Sequence, residues 1–98
     1  MIRVALPFHL QTLAQISEEV QIDVAAPVTP LAIIRTLEKH YPTLRGAIIE
    51  HGSNKRRPLI RFFACQKDIS HADMDVPVAD AIVTGDEPFI VIGAIAGG

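Results

Sequence analysis

Two stretches near the start of the chain alternate apolar and polar positions. Ile2, Val4, Leu6 and Phe8 interleave with Arg3, Ala5, Pro7 and His9. A period of two carried by β-branched and aromatic residues predicts a strand over residues 2–8. Pro7 has no N–H to give to a ladder, so it is expected at an unpaired position or a bulge. Residues 11–19 are polar with scattered apolar positions, Leu13 and Ile16 among them. They read as a loop or a single helical turn. Alternation returns at Val20, Ile22, Val24 and Ala26, with Gln21 and Asp23 facing out. Two strands about ten residues apart suggest a hairpin.

The pattern then changes to a helical period. Thr29 is placed as an N-cap, with Pro30 at the first helical position, where its missing N–H costs nothing. Val28 and Ile33 have the spacing of a hydrophobic staple. Pro30, Ile33, Ile34, Leu37 and Tyr41 fall on one face, leaving Arg35, Thr36, Glu38 and Lys39 toward water. Lys39 and His40 suit the negative end of the helix, and Pro42 ends it. Leu44 and Ile48 allow a second short turn, and Gly52-Ser53-Asn54 is a turn signal. Residues 59–65 predict a strand with Ile60, Phe62 and Ala64 on one face. Residues 66–75 are a polar connection. Val76, Val78, Ala79 and Ile82 suggest a brief strand and a turn into Thr84-Gly85-Asp86-Glu87, and a last strand starts near Phe89.

A lone amphipathic helix must bury its face, and only a sheet is available to it. With the first and last strands parallel at the centre, the result is an α+β fold. It is a β-grasp, with a mixed four- to five-stranded sheet and one main helix across one face. The whole chain, residues 1–98, is expected as a single domain, with 94–98 as an extended tail. At 98 residues, 49% hydrophobic and 20% charged, it has the composition of a globular domain.

Nine basic against eleven acidic residues give a net charge of −2, which offers no general pull toward nucleic acid or anionic lipid. No apolar run approaches the ~20 residues of a membrane helix, and the basic opening of a signal peptide is missing. A single cysteine, Cys65, fits a reducing compartment. The expectation is therefore a cytoplasmic protein with neither nucleic-acid nor membrane partners.

Candidate chemistry concentrates at the end of the sequence. The last strand passes without a loop into Gly93-Ala94-Ile95-Ala96-Gly97-Gly98. Glycines that lack a Cβ can thread a narrow channel, and an α-carboxylate on Gly98 is ionised at neutral pH, its reference pKa being about 3.5. The four residues from Ile95 reach at most about 13 Å when extended, enough to cross the wall of a partner's active site. A frayed terminus is the alternative. Both faces of the last strand and of strand 59–65 are apolar, and a single helix covers only one. Leu59, Phe63, Ile90 and Ile92, with Arg61 beside them, then form either a protein interface or a face covered by residues 66–80.

The remaining features carry less. Lys55-Arg56-Arg57 meets a partner's acidic groups or is a solvated turn. His9, His40, His51 and His71 lack zinc-site spacing and read as scattered surface residues. Cys65, without a basic partner in view, reads as a small packing residue. No metal is expected, and no set of side chains marks an enzyme.

These stretches together resemble the MoaD/ThiS sulfur carriers, ubiquitin-like β-grasp proteins, more closely the MoaD side. The resemblance rests on the opening strand, the helix from Thr29 with its Tyr41-Pro42 exit, the strand 58–65, and Gly85-Asp86-Glu87 before a final strand ending in Gly97-Gly98. It implies that an E1-like adenylating enzyme uses ATP to activate the Gly98 carboxylate, after which a sulfur donor supplies the sulfur of a thiocarboxylate. Gly97 then gives slim access, while Ala94, Ile95 and Ala96 contact the partner. It further implies that sulfur goes to molybdopterin, with the chain as non-catalytic small subunit beside a larger MoaE-like synthase subunit. No cofactor is held permanently. A ThiS-like role in thiamin thiazole formation, and a ubiquitin-like modifier or adaptor, are the alternatives. The family commonly carries Asn-Gly or a similar polar turn after the third strand, where this chain has Cys65-Gln66-Lys67-Asp68.

Overall fold

The computed structural model describes residues 1–50 and 52–93. Along the chain, β1 is Ile2–Ala5, α1 Phe8–Ala14, β2 Val20–Ile22 and α2 Pro30–His40. A single 3-10 turn, Pro42–Leu44, precedes β3 (Ile60–Ala64), β4 (Lys67–Asp68), α3 (Asp80–Thr84) and β5 (Phe89–Gly93). The strands form one sheet in the order β2-β1-β5-β3-β4. β1 and β5 lie parallel at its centre, Val4 opposite Phe89, and the other pairings are antiparallel. This is the β-grasp arrangement expected from the sequence.

α2 forms where its caps and apolar spacing place it. Thr29 Oγ1 accepts a hydrogen bond from the Ala32 N–H at 3.0 Å, a cap worth about 1 kcal/mol. Pro30, Ile33, Ile34 and Leu37 are buried against the sheet, each contributing about 1.5–3 kcal/mol on transfer from water. From the sheet they meet Ile2, Val4, Val20, Ile22, Ile60, Phe62, Phe89 and Val91. The Phe62 and Phe89 rings pack tilted, with centroids 5.2 Å apart. One residue on the helix departs from the expected pattern: Glu38 is buried rather than water-facing. Arg35 donates to its Oε1 at 2.8 Å and also to Asn54, so the turn after residue 50 closes over this flank of the helix.

Four further expectations are corrected. β1 stops at Ala5, because Pro7 ends the ladder and its carbonyl accepts from the N–H groups of Leu10 and Gln11, each at 3.0 Å. Phe8 therefore opens a helix of two turns and is exposed, and the connection after β1 is α1 rather than a loop or a single helical turn. The polar connection after β3 contains a strand: β4 returns at once, Ala64 opposite Lys67. Cys65 and Gln66 both sit at positive φ, 52° and 66°, as the favoured two-residue hairpin loops require, so the turn is made without the family's glycine. Finally, the segment expected as a brief strand forms none: Val76, Val78 and Ala79 precede a helical turn, α3, which holds Ile82 and is closed by Gly85 in the left-handed region.

Residues 66–80 do not cover the outer face. Their backbone is tied to the start of α2, Leu31 N–H to Met74 O at 2.9 Å and Val78 N–H to Val28 O at 2.8 Å.

Candidate functional site

Two surfaces meet at the C-terminal end of β5. The first is the outer face of the sheet, built by alternation: the side chains between the buried positions of β3 and β5 project away from α2. Phe63 lies opposite Ile90, and Arg61 opposite Ile92. Phe63 and Ile90 are half-buried, whereas Leu59 and Ile92 are 50% and 43% exposed. The structure thus brings Arg61, Phe63, Ile90 and Ile92 together across two neighbouring strands, while Leu59 lies in the turn that leads into β3. Arg61 is engaged within the sheet, its Nη1 3.3 Å from Asp68 Oδ2. Ser70 N–H donates to the other carboxylate oxygen at 2.8 Å. The hydrogen bonds from Ser70, and then the Arg61 charge, hold the Asp68 carboxyl below its ordinary range.

The second surface is a groove of about 760 Å³ just beyond the strand end. Its walls come from three separate segments. α1 contributes His9 and Leu13, the chain around the 3-10 turn contributes Thr43 and Arg45, and the entry to β3 contributes Arg57 and Leu59. Thr43 Oγ1 donates to Leu13 O at 2.9 Å, and Arg57 Nη1 donates to Gly46 O at 3.0 Å, so side-chain bonds to backbone tie the walls together. The His9 ring packs across Gly93: a Cβ on Gly93 would overlap the imidazole, with Nε2 3.0 Å away. Glycine at the last position of β5 is what admits the ring.

The basic run 55–57 is divided. Arg56 is half-buried, with Nε donating to Ser70 O at 3.1 Å and Nη1 reaching the Arg57 and Ile60 carbonyls. It pins the entry of β3 to the segment after β4. Lys55 is exposed. Cys65 is half-buried in the β3–β4 turn. Among the described residues no cluster of His, Cys, Asp or Glu has the geometry of a metal site, and no helix is long and apolar enough to cross a membrane. The expected tail residues Ala94, Ile95, Ala96, Gly97 and Gly98 lie outside the described residues, as does His51.

The groove was not legible in the sequence, because its residues are spread over fifty positions and none forms a motif. The one local signal is Gly93, a glycine inside an otherwise apolar strand, which marks a close approach by another group.

No protein-family model and no curated protein matches the sequence. Solved structures do match the fold over nearly the whole chain. SAMP1 from Haloferax volcanii superposes with a TM-score of 0.75 at 18% identity, covering 98% of this chain and 97% of that one. A chain of the BexX/CysO complex of Amycolatopsis orientalis gives 0.75 at 20% identity, with complete coverage of both. Mycobacterium tuberculosis CysO gives 0.74 at 18% identity, covering 97% and 100%. At these identities the likeness establishes a shared ubiquitin-like β-grasp architecture.

Proposed function

We propose that the chain is a ubiquitin-like sulfur carrier whose Gly98 carboxylate is adenylated and then converted to a thiocarboxylate. The observation that carries this reading is that the central strand β5 ends at Gly93 and the sequence Ala94-Ile95-Ala96-Gly97-Gly98 follows it directly. The likeness to CysO and to an archaeal modifier protein supports it.

A carboxylate is a poor acyl electrophile. In the proposed reaction a Gly98 carboxylate oxygen attacks the α-phosphorus of ATP on an activating enzyme and displaces pyrophosphate. The acyl-adenylate carbonyl is then attacked by sulfur at the hydrosulfide level from a donor, and AMP departs with the electrons of the C–O bond. Dividing the exchange in this way replaces one hard step by two easier ones. The chain is a co-substrate: its fold supplies a narrow, chemically plain tail on a rigid body. Leu59, Phe63, Ile90 and Ile92 offer the apolar seat on which a larger subunit would hold that body. We assign molybdopterin assembly as the pathway, with a MoaE-like subunit as the acceptor. ATP and reduced sulfur donors then place the protein in the cytoplasm.

ATP–pyrophosphate exchange by the activating enzyme tests the first step. Exchange should depend on the full chain and vanish when Gly98 is deleted or when one residue is appended after it. Exchange with the extended chain at the full rate would refute the role of the carboxylate. The likeness to SAMP1 favours one other reading, a modifier joined through Gly98 to lysines. That reading predicts lysine-linked adducts in cell extract, which the carrier reading does not.

A further inference from the structure

The chain has six arginines, and the fold treats them unequally. Arg3, Arg35 and Arg61 each face a carboxylate, that of Glu19, Glu38 and Asp68 respectively. Arg56 donates to the carbonyls of Ser70, Arg57 and Ile60. The other two, Arg45 and Arg57, have no carboxylate partner among the described residues, and both line the groove at the end of β5. No Asp or Glu is among the lining residues. A chain with a net charge of −2 thus gathers positive charge without counter-charge in one recess.

The recess also has the form of a binding site. The bond from Arg57 Nη1 to Gly46 O holds that guanidinium against the wall while its other N–H groups remain for an acceptor. A planar fork held in this way loses little freedom on meeting a carboxylate. Arg45 follows the 3-10 turn and is exposed. The apolar part of the wall includes Leu13 and Leu59, both much exposed. Inorganic phosphate has no use for two leucines, and a nucleic acid would want aromatic platforms, of which the lining has none. A peptide carrying both carboxylates and apolar side chains complements charge and wall together. Leu59 immediately precedes β3, whose Arg61 and Phe63 face outward, so the groove adjoins the outer face.

We infer that the groove receives an acidic, leucine-bearing segment of the activating enzyme, with carboxylates on Arg45 and Arg57 and an apolar side chain on Leu13 and Leu59. Naming that enzyme as the owner of the segment rests on the carrier reading.

The test titrates the full chain, labelled with ¹³C and ¹⁵N, with an acetylated and amidated pentapeptide, Glu-Leu-Asp-Leu-Glu. Saturable NMR shifts are expected at the methyls of Leu13 and Leu59 and at the Nε–H groups of Arg45 and Arg57. Arg45→Glu should weaken binding at least tenfold, with Arg45→Gln serving if the glutamate disturbs folding. Lys67→Glu makes the same charge change at the other end of β3 and should leave binding within twofold. An equal loss in Lys67→Glu would reduce the effect to net charge and overturn the inference. So would the absence of saturable shifts, equal binding of a peptide with lysines in place of its acids, or the same shifts from sodium phosphate at the same concentration. In the exchange assay, Arg45→Glu should raise the KM for the chain at least tenfold. Exchange with an unaltered KM sinks the groove assignment alone, whereas peptide binding by a chain that supports no exchange sinks the carrier reading alone.

Discussion

Replacing Gly85 by alanine should destabilise the fold by about 2–5 kcal/mol, and the contribution has two separable parts. Gly85 closes α3 at φ 86° and ψ 5°, a left-handed conformation that costs an L-residue about 1–2 kcal/mol. A Cβ there would also stand 2.7 Å from Met1 O. That atom belongs to the backbone leading into β1, not to a side chain that can swing aside. Forcing it back resembles overpacking, worth about 1–3 kcal/mol. The site has a further constraint, since Arg3 Nη1 donates to Gly85 O at 2.8 Å while its Nε holds Glu19 at 3.0 Å. Gly52 isolates the first part. Its φ is 81°, and a Cβ would meet nothing within 4 Å, so Gly52→Ala should cost only about 1–2 kcal/mol. Urea unfolding followed by far-UV circular dichroism reads both variants. With a slope of roughly 1.5 kcal/mol per molar, Gly85→Ala should lower the midpoint by roughly 1–3 M, and by at least about 0.5 M more than Gly52→Ala. Equal midpoints for the two variants would refute the contact with the start of β1.

Three other outcomes follow from the same geometry. Gly93→Ala forces the His9 ring aside, and because that ring is the end of an exposed side chain the cost should be small. A double-mutant cycle with His9→Ala should nevertheless show a coupling of at least about 0.5 kcal/mol, whereas strict additivity would mean that the ring does not lie on Gly93. The Asp68 carboxyl, held low by Ser70 and Arg61, is charged in the folded chain to a lower pH than in the unfolded one. Its stabilisation is therefore complete above about pH 4 and is lost as pH falls through the lowered folded value. An NMR titration should show the Asp68 midpoint rising in Arg61→Gln, which removes the facing charge, and an unchanged midpoint would contradict the assignment. Ile92→Asp, at a half-exposed position on the outer face, should leave the unfolding free energy within about 1 kcal/mol of the parent while weakening capture of the proposed larger subunit at least tenfold. Undiminished capture would take the outer face out of the interface.

How much could be anticipated from the residues differed sharply between elements. α2 was legible because several local signals agree: a threonine cap, a proline at the first turn, the 3.6-residue apolar spacing and a terminating proline. The outer-face positions of β3 and β5 were legible for a simpler reason, since alternation alone assigns faces once those strands exist. α1 was hidden because Leu6 and Phe8 continue the alternation of β1 across Pro7, so period two masks the point where the chain turns helical. β4 has two residues, too few to show any period. α3 is a single turn whose apolar positions fit a strand equally well. Glu38 looked solvated because its partner Arg35 is held in turn by Asn54 from the turn after residue 50, and helical spacing carries no information about what packs over a helix's far side. The groove needed the tertiary fold before its walls could be seen together.

The most direct measurement of the central claim is the intact mass of the chain after incubation with its activating enzyme, MgATP and a sulfide donor. The account predicts a gain equal to one oxygen replaced by sulfur, localised to Gly98 by fragmentation and replaced, on treatment with an electron-poor sulfonyl azide, by the mass of an N-acyl sulfonamide formed with loss of N2 and the sulfur. An unchanged mass under conditions where the enzyme thiolates a known carrier would contradict it.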